Sequence, residues 1–323
     1  LILATGGAGY IGSHYVLYER MRGRDVIVLD NLFYGHREAV LDAPLIVGDL
    51  RDRAVLDSIF NSYKIDAVVH FAAFASVPES VSHPDRYYGN NVAATLNLLD
   101  AMRDHGVKRF IFSSSCATYG NPQYTPMDEL HPQSPINPYG ESKRVCEKML
   151  EAYDHAFGIR FASLRYFNAA GADPEGRIGE SHDPETHIIP LILQTAAGRR
   201  DAITITGTDF DTPDGTCIRD YIHILDLAQA HSRALDRLNS GGDSQFFNLG
   251  SEAGYSVREV VDLCRKVTGR EFTVKEGPRR DGDPPKLVAS AQKVRRMLDW
   301  CPAFADLEQV VRTAWNWEQN RRY

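Results

Sequence analysis

Tyr139 and Lys143 stand four residues apart in PYGESK, and on a helix that spacing puts both side chains on one face. A phenol with its ordinary pKa of about 10 is a poor base at neutral pH, whereas a neighbouring ammonium favours the phenolate. Tyr139 so placed can take a proton from an alcohol. The spacing is common by chance, and its context gives it weight. In FSSSCATYG, Ser115 follows the apolar run Val107, Phe110, Ile111, Phe112, at the carboxyl end of an expected strand, where ligands gather in open α/β sheets. Its hydroxyl can bridge a substrate oxygen and Tyr139. Ser113 and Ser114 read as serines that satisfy local backbone. No acid follows: the next residues are Cys116 and Ala117.

A second set of residues suits a dinucleotide. TGGAGYIGSH, Thr5 to His14, places Gly6, Gly9 and Gly12 after a first strand and before a helix, with Tyr10 and Ile11 among the expected cofactor contacts. Glycines permit a tight turn and close backbone approach, and the helix-start N–H groups favour a pyrophosphate. The second strand ends on Asp30, whose carboxylate can accept from both ribose hydroxyls and repels a 2′-phosphate, so NAD is expected rather than NADP. Asp49 and Leu50, in GDL after the third strand, are placed for adenine.

These residues need a frame. Short apolar runs at Leu1–Ala4, Asp25–Leu29, Pro44–Val47, Ala67–Phe71, Arg109–Phe112 and Arg160–Tyr166 alternate with segments of helical periodicity such as Ala54–Tyr63 and Asn91–Arg103. That alternation predicts an α/β protein with a doubly wound parallel sheet, Rossmann-like. Beyond Gly171, GADPEGRIGESHDPETH and TGTDFDTPDGTC predict long loops of a smaller second region. FFNLG (Phe246–Gly250) reads as one more strand, and Ser256–Val267 as a helix with a Ser256/Glu259 capping box. The expected division is 1–171, with 218–251 returning to it, as the NAD-binding domain, and 172–217 with 252–323 as the substrate domain.

The 323 residues carry 36 Lys and Arg against 43 Asp and Glu, a net −7 with no basic run, which points away from nucleic acid and membrane surfaces. Five scattered cysteines (Cys116, Cys146, Cys217, Cys264, Cys301) without a CxxC predict reduced thiols, no metal site and a cytoplasmic location. No stretch of about 18 apolar residues and no signal peptide stand out. The chain opens on Leu1 rather than Met, so a short stretch upstream is expected.

TGGAGYIGSH, Asp30, NNV (Asn90–Val92), SSSCATYG, YGESK, LRYFNAAGA and GTCIRDYIH in this order resemble the extended short-chain dehydrogenase/reductases, and among them the 4-epimerases of UDP-sugars. The resemblance spans Leu1 to about Trp317. It implies tightly held NAD and a Ser115/Tyr139/Lys143 constellation. It adds Asn31, Phe71, Ala72, Ala73, Asn91, Ser113, Tyr166 and Phe167 as cofactor contacts. For the nucleotide sugar it implies Asn168, His187, Ile188, Thr204, Thr206, Arg219 and Tyr221, with Arg280, Asp283 and Leu287 from RRDGDPPKL. Two arginines make independent sense, because a diphosphate needs paired donors of fixed geometry. A homodimer through helices in Pro84–His105 and Tyr139–Phe157 is implied as well.

Relatives that eliminate water place an acidic pair after the hydroxyl residue; here Cys116 and Ala117 leave that proton transfer without a partner. A 4-keto sugar is then expected to be reduced again, inverting carbon 4 of UDP-glucose and UDP-galactose. Ala75, Thr206 and His187 depart from some epimerases, which carry there a basic, an aromatic and an amide residue. Leu287 borders the sugar's 2-substituent by resemblance, intermediate between a bulky gate and an open one. Two other readings stay open: a 4-epimerase of UDP-N-acetylhexosamines, UDP-pentoses or UDP-glucuronate, and a non-catalytic dinucleotide sensor, which would bind NAD and invert nothing.

Overall fold

The structure, a computed structural model, describes residues 1–280 and 282–323. Its first half follows the expected alternation: β1 (Ile2–Thr5), α1 (Tyr10–Met21), β2 (Val26–Asp30), β3 (Leu45–Val47), α2 (Arg53–Ser62), β4 (Ala67–His70), α3 (Val77–Ser82), α4 (Pro84–Tyr87), α5 (Ala94–Asp104), β5 (Arg109–Ser115), α6 (Pro138–Phe157) and β6 (Arg160–Tyr166). There follow β7 (Asn168–Ala170), α7 (Ile188–Ala196), β8 (Ala202–Thr206), β9 (Ile218–His223), α8 (Ile224–Asn239), β10 (Gln245–Leu249), β11 (Gly254–Ser256), α9 (Val257–Thr268), β12 (Thr273–Gly277), β13 (Lys286–Leu287), α10 (Gln292–Leu298) and α11 (Leu307–Asn320).

Seven strands form one parallel sheet in the order β10-β6-β5-β4-β1-β2-β3. The strand order reverses between β1 and β4, which opens a crevice at the carboxyl ends of both. Alternation along each strand feeds two cores. Ala4, Val26, Val28, Val69 and Ile111 face one side with Tyr15 of α1 and Leu227 and Leu235 of α8. Leu3, Ile27, Leu29, Val68, Phe110 and Phe112 face the other with Leu56 of α2, Leu98 of α5 and Cys146 and Leu150 of α6. Both faces are buried, as parallel strands this apolar require.

The second region is built on β9, which pairs with β7 and β13 in parallel and with β11 antiparallel, and on a separate β8–β12 pair. Its core joins Ile189 and Ile192 of α7, Val260 and Cys264 of α9, and Val310 and Val311 of α11. The chain between the two regions is shared. β7 and β9 lie in the small sheet, whereas Val294 and Leu298 of α10 and Trp300 belong to the core under the large one. Among the described residues no helix is long and apolar enough to cross a membrane.

Candidate active site

At the crevice, β1 delivers Gly6, whose φ of +72° suits glycine, and a Cβ there would sit 2.4 Å from the Ala72 amide nitrogen at the end of β4. A Cβ on Gly12 would come within 2.2 Å of the Gly6 carbonyl oxygen. These two glycines close the turn. Gly9 differs: a Cβ there would meet only the Gly6 carbonyl oxygen, at 3.4 Å, and would project into the mouth of the loop. Gly9 is also the N-cap of α1, with no side-chain cap and no acid in the first turn, so the helix start is left to an outside anion. Phe71, Ala72 and Ala73 border this turn, with the Phe71 and Ala72 amides donating to the Thr5 carbonyl. Tyr10 donates its hydroxyl to the Gly171 carbonyl at 2.6 Å, so its side chain is spent within the protein, and Ile11 beside it is half-buried.

Asp30 is buried at the end of β2. Its carboxylate accepts from the Ala8 amide at 2.9 Å and the Leu32 amide at 2.8 Å. Burial raises its pKa and the two amides pull it back. Asn31 donates to Asp49 at 3.1 Å, and the Arg51 guanidinium holds the Asp49 carboxyl well below the usual range; Leu50 beside them is buried. The loop and these carboxylates fit a dinucleotide with free ribose hydroxyls.

The catalytic candidates meet at the end of β5. Asn137 caps α6 through the Gly140 amide and Pro138 opens the helix, which puts Tyr139 in its first turn. Gly140 makes the approach possible, since a Cβ there would stand 2.4 Å from the Ala117 carbonyl oxygen. Burial pushes the Tyr139 phenol up to about 12, against the Ser115 hydroxyl, which pulls it down. Lys143 extends under the strand and donates to the Ser113 carbonyl at 2.8 Å, with its ammonium 5.0 Å from the Phe112 ring centre. Burial lowers it to about 8. The ammonium, one helical turn beyond Tyr139 on α6, is thus anchored to the strand that carries Ser115.

Other readings change with the structure. β5 runs on to Ser115, so Ser113 and Ser114 are strand residues rather than loop serines bonding local backbone. The Ser113 hydroxyl bonds the Tyr166 phenol, and Ser114 donates to Glu147 at 2.8 Å. Glu147, four residues beyond Lys143 on α6, also accepts from Ser163, Gln133 and both forks of Arg165, at 2.7 to 2.9 Å. This buried pair fastens α6 to β5 and β6, and pairwise sequence spacing does not show it. Asn91 lies in a wide helical turn, Tyr88–Ala93, and its amide is spent on the Phe74 backbone and the Ser142 hydroxyl. It therefore shapes the loop after β4 and has no free amide to offer a cofactor. Tyr221 packs in the core of the second region with Ile189, Val260 and Val310, and its buried hydroxyl has no hydrogen-bond partner among the described residues.

The remaining candidates divide. Phe167, Leu287 and Cys116 pack in one cluster with Tyr119 and Met127, which brings Leu287 to the residue after Ser115. Leu287 is the strand partner of Arg219, whose guanidinium donates to the Pro284 carbonyl at 2.9 Å and pairs with Asp283 at 3.4 Å. Arg219 also bears on Cys116, although burial dominates and lifts that thiol to about 12. Cys116 places no carboxylate beside Ser115. Asn168 donates to the Asp220 carbonyl at 3.1 Å, and Arg280 is exposed. Thr204 and Thr206 share the face of β8 opposite the core residues Ile203 and Ile205, and Ile188 opens α7 at the edge of that core.

His187, the N-cap of α7, lies in a group the sequence reading missed: Glu180, His182, Glu185 and His187, with one donor atom of each within 4.8 Å of the others. Burial opposes charge on His187, but the two carboxylates outweigh it and raise the imidazole to about 10. The expectation of no metal site rested on cysteine spacing, which says nothing about Glu and His.

A search of known proteins agrees with this geometry. The family model described as the NAD dependent epimerase/dehydratase family matches residues 2–250. The UDP-glucose 4-epimerase of Halalkalibacterium halodurans is 52% identical over 98% of this chain and 95% of its own length. Among solved structures, the UDP-glucose 4-epimerase of Brucella ovis in complex with NAD superposes with a TM-score of 0.95 at 47% identity, covering 97% of each chain. The UDP-Glc/GlcNAc 4-epimerase of Campylobacter jejuni does so with a TM-score of 0.86 at 42% identity, covering 99% of each. With half its residues shared along almost the full length and the glycine turn, Asp30 and the Ser115–Tyr139–Lys143 group in place, this chain belongs to the NAD dependent epimerase/dehydratase family.

Proposed function

We propose that the protein is a UDP-glucose 4-epimerase, inverting carbon 4 of UDP-glucose and UDP-galactose with NAD as resident cofactor. The observation that carries this is the gathering at the end of β5 of Ser115, whose hydroxyl bears on the Tyr139 phenol, and of Lys143, held by the Ser113 carbonyl, with no carboxylate in the two positions after Ser115. The turn at Gly6, Gly9 and Gly12 holds the pyrophosphate of NAD, and Asp30 with Asn31 and Asp49 the adenosine end. Bound there, NAD supplies a hydride acceptor for carbon 4 and then a donor to the ketone. Tyr139 takes the 4-hydroxyl proton and later returns it, and Ser115 orients the reacting oxygen and lowers the phenol's pKa. Lys143, anchored on the Ser113 carbonyl, keeps a positive charge beneath the site.

Arg219 and Arg280 supply the paired donors that a diphosphate needs, leaving the sugar free to present either face while its nucleotide stays fixed. Cys116 and Ala117 follow Ser115 in place of an acidic pair, so proton exchange at carbon 5 lacks its carboxylates and the 4-keto sugar is reduced rather than dehydrated. A homodimer is supported by Leu96 on α5, Phe157 on α6 and Tyr88 just before α5, apolar side chains exposed on the helices expected to pair. Five free cysteines fit a cytoplasmic setting. Incubation with UDP-galactose, followed by proton NMR, should show UDP-glucose accumulating without external NAD. Binding of NAD with no epimer formed would instead mark a sensor.

A further inference from the structure

We propose that Glu180, His182, Glu185 and His187 form a site for one divalent transition-metal ion of the zinc class. The four lie in the segment GESHDPETH, as two Glu-x-His pairs, and the Nδ1 atoms of both imidazoles turn inward onto both carboxylates. His187 Nδ1 stands 2.8 Å from Glu180 and 2.9 Å from Glu185; His182 Nδ1 stands 3.3 Å from Glu180 and 3.5 Å from Glu185. Ligands at about 2.0 to 2.1 Å from a tetrahedral zinc lie roughly 3.3 Å apart; the His182 contacts are near that spacing and the His187 contacts are shorter, so side-chain adjustment within a group already gathered to 4.8 Å would bring four donors onto one ion.

Hydrogen bonding alone does not satisfy the group. His187 Nδ1 has one N–H for two carboxylates: it donates to Glu185 and also lies 2.8 Å from Glu180 Oε1 as an ion-pair contact, and neither Glu180 Oε1 nor His182 Nδ1 gains a hydrogen bond of good geometry among the described residues. The Glu180 side chain is only 6% exposed, so its carboxylate needs a cation beside it, which the imidazoles supply when protonated and a divalent ion would supply when they are not. Two imidazoles and two carboxylates are a donor set that suits zinc over magnesium or calcium, which prefer all-oxygen shells.

The surroundings hold the ligands from several sides. Trp317 Nε1 of α11 donates to the Glu180 carbonyl at 2.9 Å, His36 bonds the Ser181 carbonyl at 3.0 Å, and the Tyr10 ring meets His182 edge-on at 6.2 Å. A bound ion would therefore staple the strap before α7 to the helix that begins at the glycine turn, linking the cofactor and nucleotide-sugar ends of the crevice. With four protein ligands the site is closed and structural, and takes no part in moving hydride or proton.

The test uses the untagged, NAD-containing protein, titrated with zinc chloride against a chromophoric chelator, with metal content also measured by mass spectrometry. One zinc per chain should bind, Tm should rise with zinc concentration, and His182→Gln should weaken binding at least tenfold. Should that variant fold poorly, cobalt chloride added to the native protein gives an independent reading: intense visible bands of tetrahedral cobalt support the site. Absence of zinc binding, an unchanged affinity in a folded His182→Gln, or a cobalt spectrum of octahedral or thiolate type would overturn it.

Discussion

The end of β5 and the edge of β13 both border the same crevice, but they hold charge differently. Beside β5, Glu147 is sealed from water and every neighbour serves it: Ser114, Ser163, Gln133 and a two-pronged Arg165. Beside β13, Arg219 remains partly exposed, its partner Asp283 stands 3.4 Å away, and Arg280 is open to solvent. A carboxylate fully satisfied within the protein fixes geometry, whereas Arg219, anchored by one nitrogen on the Ile218 and Pro284 carbonyls, and the exposed Arg280 keep further N–H donors for an anion. Catalytic positioning is thus built into the large sheet, and recognition into the small one.

If that division is right, the largest loss of turnover should come from the β5 side and leave binding alone. Tyr139→Phe removes only the transferable proton, so kcat should fall roughly 10² to 10⁴-fold while NAD stays bound and KM moves little. Turnover within threefold of the parent would remove Tyr139 from the mechanism. Stability should divide the same way. Arg165→Leu strands the Glu147 carboxylate in the core and should cost about 3 to 5 kcal/mol in denaturant unfolding. Arg219→Leu should leave the unfolding midpoint near that of the parent and raise KM for UDP-galactose about 10 to 100-fold, the worth of a charged hydrogen bond. The reverse pattern, an Arg165 variant of native stability or an Arg219 variant with unchanged KM, would erase the distinction.

The β5 side was also the more legible in sequence, for a physical reason. Parallel strands buried on both faces read as apolar runs, glycines at a tight turn are irreplaceable by size, and Tyr139 and Lys143 sit at helical spacing, so period and composition carry their positions. What failed were inferences about where a polar side chain goes. Ser114 reaches across to Glu147 because the strand runs three residues past its apolar stretch. Tyr221 is core although it follows Arg219 by two, packed with Ile189 of α7 and Val260 of α9. The Glu180–His187 group was invisible because its ligands come from irregular chain, where periodicity says nothing about which atoms converge.

A smaller effect separates pKa control from proton transfer. The active base is the deprotonated phenol, so the rate falls as pH drops through its pKa. Burial pushes that pKa up and the Ser115 hydroxyl opposes it. Ser115→Ala should therefore shift the acid limb of kcat to higher pH and slow the reaction about 10 to 100-fold at pH 7, with the loss partly recovered as pH rises. A uniform loss at every pH would mean that Ser115 only orients the sugar.

The smallest effect belongs to the β13 side and concerns which sugar fits. Leu287 packs against the cluster that includes Phe167 and Cys116 and pairs in register with Arg219, and on the proposed reading its side chain lies beside the sugar's 2-substituent. An acetamido group at carbon 2 would need space for several heavy atoms against this leucine, and overpacking typically costs about 1 to 3 kcal/mol. The native protein should accordingly turn over UDP-N-acetylglucosamine roughly tenfold or more slowly than UDP-galactose, without losing it altogether. Leu287→Ser frees volume without touching Tyr139 or Glu147, and should raise kcat/KM for the N-acetyl sugar relative to UDP-galactose by up to about tenfold. Because recognition and positioning reside in different sheets, the pH profile for UDP-galactose should stay where it was. A ratio of specificity constants that does not move would place the gate elsewhere, and a shifted pH profile would show that the two sides of the crevice are coupled after all.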